Sequence, residues 1–199
     1  MKNLTATICL TIAVLLGSAG VSWSADLQKG VTAYQNGNYA TALREWTPLA
    51  EQGSAKAQFA LGLMYANGQG VLQEHKTAVK WWKFSANQGY AVAQFNLGYM
   101  YDEGKGVPQD YKTAVKWYRL AAEQGNVPAQ LNLGIMYDEG RGGIQDNVYA
   151  HMWYNLAAIS GDKDAVTNRD IVAKRMTPSQ LEKAQDLARE CVRKKYKGC

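Results

Sequence analysis

Cysteine is scarce, with 3 in 199 residues, which excludes a disulfide-dense scaffold. There are 2 histidines and 4 prolines. Their positions match no zinc-ligand spacing, so no metal and no cofactor is expected. Long apolar runs are also lacking. The one extended run, from Ile8 to Leu16, is too short to span a bilayer comfortably, so no stable membrane span is expected. Nor does the body carry a charge of one sign. The net charge is +5, but residues 25–160 hold 11 basic and 11 acidic residues, and residues 161–199 hold 10 and 6. A nucleic-acid binder is expected to concentrate basic charge on its folded body, so nucleic acid is not the expected partner. What is abundant is glycine (19), tyrosine (12) and tryptophan (6), in a chain 47% apolar and 20% charged. That is a globular composition with many turns and many large packing residues.

Lys2, the apolar run and the small residues Gly17, Ser18, Ala19, Gly20, Ser22 and Ser24 follow the order of a secretory signal. Cleavage is predicted between Ser24 and Ala25, giving an exported protein, periplasmic or secreted. Cys9 would leave with the signal. Cys191 and Cys199 would then be an even pair in an oxidising compartment, and an intrachain disulfide is expected. A bridge between chains or two free thiols are the alternatives.

Ala57, Ala93 and Ala129 are 36 residues apart, as are Gly62, Gly98 and Gly134, and Trp81, Trp117 and Trp153. Adjacent units 57–92, 93–128 and 129–164 agree at 20 of 36 positions in each comparison, far above chance. Each unit reads as two helices. In the first unit these are about 57–66, ended by Gly68, and 75–87, with Ala78, Trp81, Trp82 and Ser85 inward. Glycine inside a first helix costs about 1 kcal/mol relative to alanine. Its recurrence predicts close helix approach under a bulky Trp or Tyr. One pair cannot bury its own apolar face, so the pairs are expected to stack into a solenoid with capped ends. The fold class is therefore all-α, an α/α superhelical solenoid. Residues 25–56 are read as an N-terminal capping helix pair and 165–199 as a C-terminal capping helix, begun by Thr177-Pro178, with a basic tail.

The units read A-Q-F-x-L-G-x-M-Y-x-x-G-x-G-V, then K-T-A-V-K-W and A-x-Q-G. This resembles the Sel-one-like repeat, a relative of the tetratricopeptide repeat. Residues 33–53 resemble the tetratricopeptide-type cap of exported bacterial members, and the resemblance spans nearly all of 27–199. It implies a superhelix that acts as an adaptor for protein partners, with no single shared activity. The third unit departs mildly, with Gly143 in place of Val and Val148-Tyr149 in place of Lys-Thr.

No catalytic constellation emerges, and the protein is read as a non-enzyme. His75 and His151 read as surface or packing residues. Gly68-x-Gly70 and its copies lack the Lys-Ser/Thr of a phosphate loop and read as structural turns. Asp102-Glu103 and Asp138-Glu139 are adjacent and point apart on a helix. Some cysteine-rich family members are linked to β-lactams, but they carry a Cys pair in each repeat and these repeats carry none.

By family analogy the first helices line the concave face. Residues three and four apart there are Ala60, Leu63 and Asn67, then Asn96, Tyr99 and Glu103, then Asn132, Ile135 and Glu139. This stripe is expected to hold a protein or peptide. Asn can bond a peptide backbone, Tyr99 offers a rigid contact, and Glu103 and Glu139 favour a basic ligand. Asn96 and Asn132 could instead bond between neighbouring repeats. The alternative is an envelope-surface binder that uses the basic C-terminal tail on anionic lipid or cell-wall polymer. A β-lactam-directed hydrolase is a third reading.

Overall fold

The computed structural model describes residues 26–143 and 145–199. The export signal read over residues 1–24 lies outside the described residues. Among the described residues there are ten α-helices and no strand. They are α1 (Leu27–Gln35), α2 (Tyr39–Glu51), α3 (Ala55–Asn67), α4 (His75–Asn87), α5 (Ala91–Glu103), α6 (Tyr111–Ala122), α7 (Val127–Glu139), α8 (Asn147–Ile159), α9 (Lys163–Ala173) and α10 (Pro178–Arg193). No helix among the described residues is long and apolar enough to cross a membrane.

From α1 to α9 each helix packs on its neighbours in sequence, giving the stacked pairs of a solenoid. Local chemistry sets the ends. Ser54, Asp110, Asn126, Asp146 and Asp162 accept backbone N–H bonds as N-caps. Thr177 and Gln180 form a reciprocal capping box at α10. The two glycines of each G-x-G turn do different work. Gly104 ends α5 in the left-handed conformation, with φ 67°. A Cβ on Gly106 would sit 2.6 Å from the His75 carbonyl oxygen, so this glycine lets one repeat's turn reach the start of the preceding repeat's second helix. The motif is a stacking joint.

The repeated helical glycines have the expected cause. Trp82 covers Gly62, Tyr118 covers Gly98 and Tyr154 covers Gly134, while Trp46 covers Gly30 in the N-terminal pair. The covering ring follows the repeated tryptophan by one position. Trp81 and Trp117 are only half-buried and pack toward the preceding pair, whereas Trp153 is fully buried.

A glutamine ladder ties the repeats together. Gln58, Gln94 and Gln130 donate to the carbonyls of Ala50, Ala86 and Ala122 at 3.0, 3.1 and 3.2 Å. Gln88 and Gln124 then donate at 2.7 Å to Oε1 of Gln58 and Gln94. The repeat-equivalent third donor would come from position 160, which is Ser, and Gln130 Oε1 is buried without a partner among the described residues. Ser160→Gln should supply it and raise stability by about 1 kcal/mol. Urea unfolding with an unchanged m-value and a higher midpoint checks this.

The C-terminal segment holds two helices where one was expected. α9 packs on α8, and α10 lies across α8 with Ala188 and Cys191 in its core. Cys191 and Cys199 are bridged within the chain, with Cα atoms 5.4 Å apart. Tyr196 and Cys199 pack on the same core, which fastens the C-terminus there.

Candidate binding face on the first helices

Helices α3, α5 and α7 present the predicted stripe, and the structure treats its rows differently. Tyr99, Glu103 and Glu139 are exposed, and Asn96 is half-buried. Asn132 lies beside Tyr118 of the preceding repeat and interacts electrostatically with its hydroxyl, which places this amide at the joint between repeats. Ile135 packs with Tyr154, Val172 and Met176, partly covered from the C-terminal segment.

The acidic row carries its own cations. Lys105 Nζ lies 3.7 Å from Glu103 Oε2 and donates to Tyr99 Oη at 2.7 Å, over whose ring it also sits. These contacts, the bond to Tyr99 first, raise the Lys105 pKa. Arg141 Nε lies 2.5 Å from Glu139 Oε2, and Arg141 Nη1 reaches Asp102 of the preceding repeat at 3.5 Å. Asp102 is buried beneath the stripe, and burial raises its pKa against the pull of Arg141. Burial also raises the pKa of Tyr118, which donates to Asp102. Lys105 and Arg141 occupy the middle position of G-x-G, where sequence reading saw only a turn. They remove the net acidity that the row shows in sequence.

The apolar part of the face was under-read. Ala60 and Leu63 line a groove of about 330 Å3 with Leu27, Val31, Phe59 and Tyr90 among its other walls. Leu63 is the repeat equivalent of Tyr99 and Ile135, so the groove belongs to the same row. Its signal in sequence was the Leu27/Val31 spacing of four, one helical turn, on a capping helix.

The structure does not bring the remaining polar candidates together. His75 and His151 lie on different second helices, α4 and α8. Among the described residues no three His, Cys, Asp or Glu side chains are placed to hold a metal ion. His151 is buried and its Nδ1 has no partner among the described residues. Burial first, then Arg169, depress its pKa, with Asp170 opposing. The unfolded chain therefore takes up this proton first, near pH 6.5. Stability should fall as pH drops from 7 through about 6.5 toward 5. Positions equivalent to 151 carry Val79 and Val115. His151→Val should flatten the decline, as thermal melts across that range will show. In the tail, Arg193 and Lys194 both pair with Glu190.

The model of the Sel1 repeat family matches residues 55–90, 91–126 and 127–162. The chain is a Sel1 repeat protein. Its solenoid is similar to the crystal structure of a Sel1 repeat protein from Oxalobacter formigenes, with 34% identity and TM-score 0.70, over 74% of this chain and 59% of that one. It is also similar to c5321, a protective antigen present in uropathogenic Escherichia coli strains that displays an SLR fold. There the identity is 30% and the TM-score 0.59, over 79% of this chain and 43% of that one. This Sel1 repeat protein thus spans about half the length of these structural relatives. No curated protein matches it. Sel1 repeat proteins are in general adaptors for protein partners and are typically non-catalytic.

Proposed function

We propose that this Sel1 repeat protein is an exported, non-enzymatic adaptor that holds an extended protein segment on the face of its first helices. The observation that carries this reading is the groove beside Leu63, on the row that continues through Tyr99. An apolar groove, on a row that continues past half-buried Asn96 and exposed Tyr99 to internally balanced ion pairs, suits a peptide with apolar side chains and free backbone groups. Because Glu103 and Glu139 already hold Lys105 and Arg141, a strongly basic ligand is no longer required. Export is supported by the charged, apolar and small-residue order up to Ser24 and by the intrachain disulfide. N-terminal sequencing of the mature protein should begin at Ala25. The domain reading of two caps around three repeats goes with this proposal.

The binding test is a peptide-display selection on the intact mature protein. Selected peptides should bind Leu63→Glu/Tyr99→Ala about tenfold or more weakly, with unchanged far-ultraviolet circular dichroism. Equal binding by wild type and variant moves the site off this face.

A further inference from the structure

Repeat symmetry supplies an internal comparison on the second helices. On α8, Met152 and Leu156 are 1% and 0% exposed and share a core with Ala188 and Cys191 of α10. The equivalent residues are Lys80 and Phe84 on α4, and Lys116 and Leu120 on α6. Among the described residues no helix covers these: Phe84 and Leu120 are each 45% exposed. The flanking positions differ in the same sense. Val148 and Asn155 on α8 correspond to Lys76 and Lys83 on α4, and to Lys112 and Arg119 on α6. Neither α4 nor α6 contains an acidic residue. Among the described residues, the five lysines of this face make no ion pair. Arg119 donates to the Tyr137 hydroxyl. Along α6 the stripe opens a groove of about 630 Å3, with Val115 and Leu120 between Lys112, Lys116, Arg119 and Glu123.

We propose that the outer face of α4 and α6 docks an acidic amphipathic helix of a partner protein. The shape argument is α10, an amphipathic helix seated on the same face of the next unit. The charge argument is the exchange of Val148, Met152 and Asn155 for basic residues at all three positions in both earlier units. A helix fit for this surface replaces part of α10's apolar contact with carboxylates that pair with the lysines. Phe84 and Leu120 supply the apolar anchors. A bare anionic polymer would engage the lysines and leave both anchors wet. The face belongs to the second-helix layer and is separate from the Leu63–Tyr99 row, so either proposal stands without the other.

The probe is a labelled peptide of residues 178–193 with Lys183→Glu, Arg189→Glu and Arg193→Glu, and with Cys191→Ala to prevent crosslinking. Anisotropy titration against the mature protein should give saturable binding with Kd of roughly 10–100 μM at low salt. Lys80→Glu/Lys116→Glu should weaken it at least about tenfold through like-charge repulsion. Phe84→Ser/Leu120→Ser should weaken it by a similar factor, both variants keeping the wild-type melting curve. The sequence with Cys191→Ala alone, whose three basic and three acidic residues balance, should not bind. The proposal is overturned by absent binding or by binding that both double variants retain. It is also overturned if phosphatidylglycerol vesicles or polyglutamate of equal charge bind as tightly without needing Phe84 and Leu120. That result would assign the face to an anionic surface instead.

Discussion

Gly98→Leu should abolish cooperative folding. A Cβ alone at position 98 would lie 2.7 Å from the Tyr118 ring, and the longer side chain has no space between α5 and α6. Even Gly98→Ala should destabilise, by about 1–3 kcal/mol, because overpacking outweighs the ~1 kcal/mol that alanine gains in a helix. Opposite signs make this sharp: propensity predicts a more stable protein, and packing a less stable one. Gly143→Ala is the control, since its Cβ meets nothing within 4 Å, and it should be near neutral. In Gly98→Ala, shortening the ring with Tyr118→Leu should recover part of the loss, the positive coupling expected of a touching pair. Urea midpoints of the four variants check the set. A Gly98→Leu protein that melts like wild type sinks the close-packing account.

Trp153→Ala should cost about 3–5 kcal/mol, the range for emptying a large buried aromatic site. Trp117→Ala, at the equivalent position one repeat earlier, should cost clearly less. Both rings face the preceding second helix, but Trp153 has no exposed surface and shares a core with Ala188 and Cys191. Trp117 is half-buried and keeps a wet edge. The difference isolates what closure of the last unit adds. Calorimetric melting of the two variants measures it.

The fold was legible because the repeat made weak local signals redundant. The glycines at 62, 98 and 134 announced close packing, and the alanine and tryptophan register gave the helix pairs. α1 and α2 were readable from Asn36-Gly37-Asn38 between two amphipathic stretches. α9 was not. Its sequence is polar and partly β-branched, and only Ala165 and Val172 are buried, so the packing of α8 makes this helix more than its own propensity does.

The candidate face was half legible. Exposure of Tyr99 follows from helical spacing. The cations beside Glu103 and Glu139 do not, because Lys105 and Arg141 stand beyond the helix ends and fold back through a turn. Asn132 looked available until Tyr118 of the preceding repeat was placed against it. The charge sum also misled, since a neutral body conceals second helices α4 and α6 that carry cations and no anion.

The two ends of the stack are unlike. Among the described residues one end is sealed by α9, α10 and a covalent loop, while the other is the nine-residue α1, whose Leu27 carbonyl accepts from the Trp46 indole of α2 at 3.2 Å. A linear array loses its units from whichever end is less securely fastened. Local opening among the described helices is therefore expected to start at α1 and travel toward the bridge. The Leu63 groove, walled by Leu27 and Val31, sits where that opening begins. A first helix that lifted would take Leu27 and Val31 with it and open that groove.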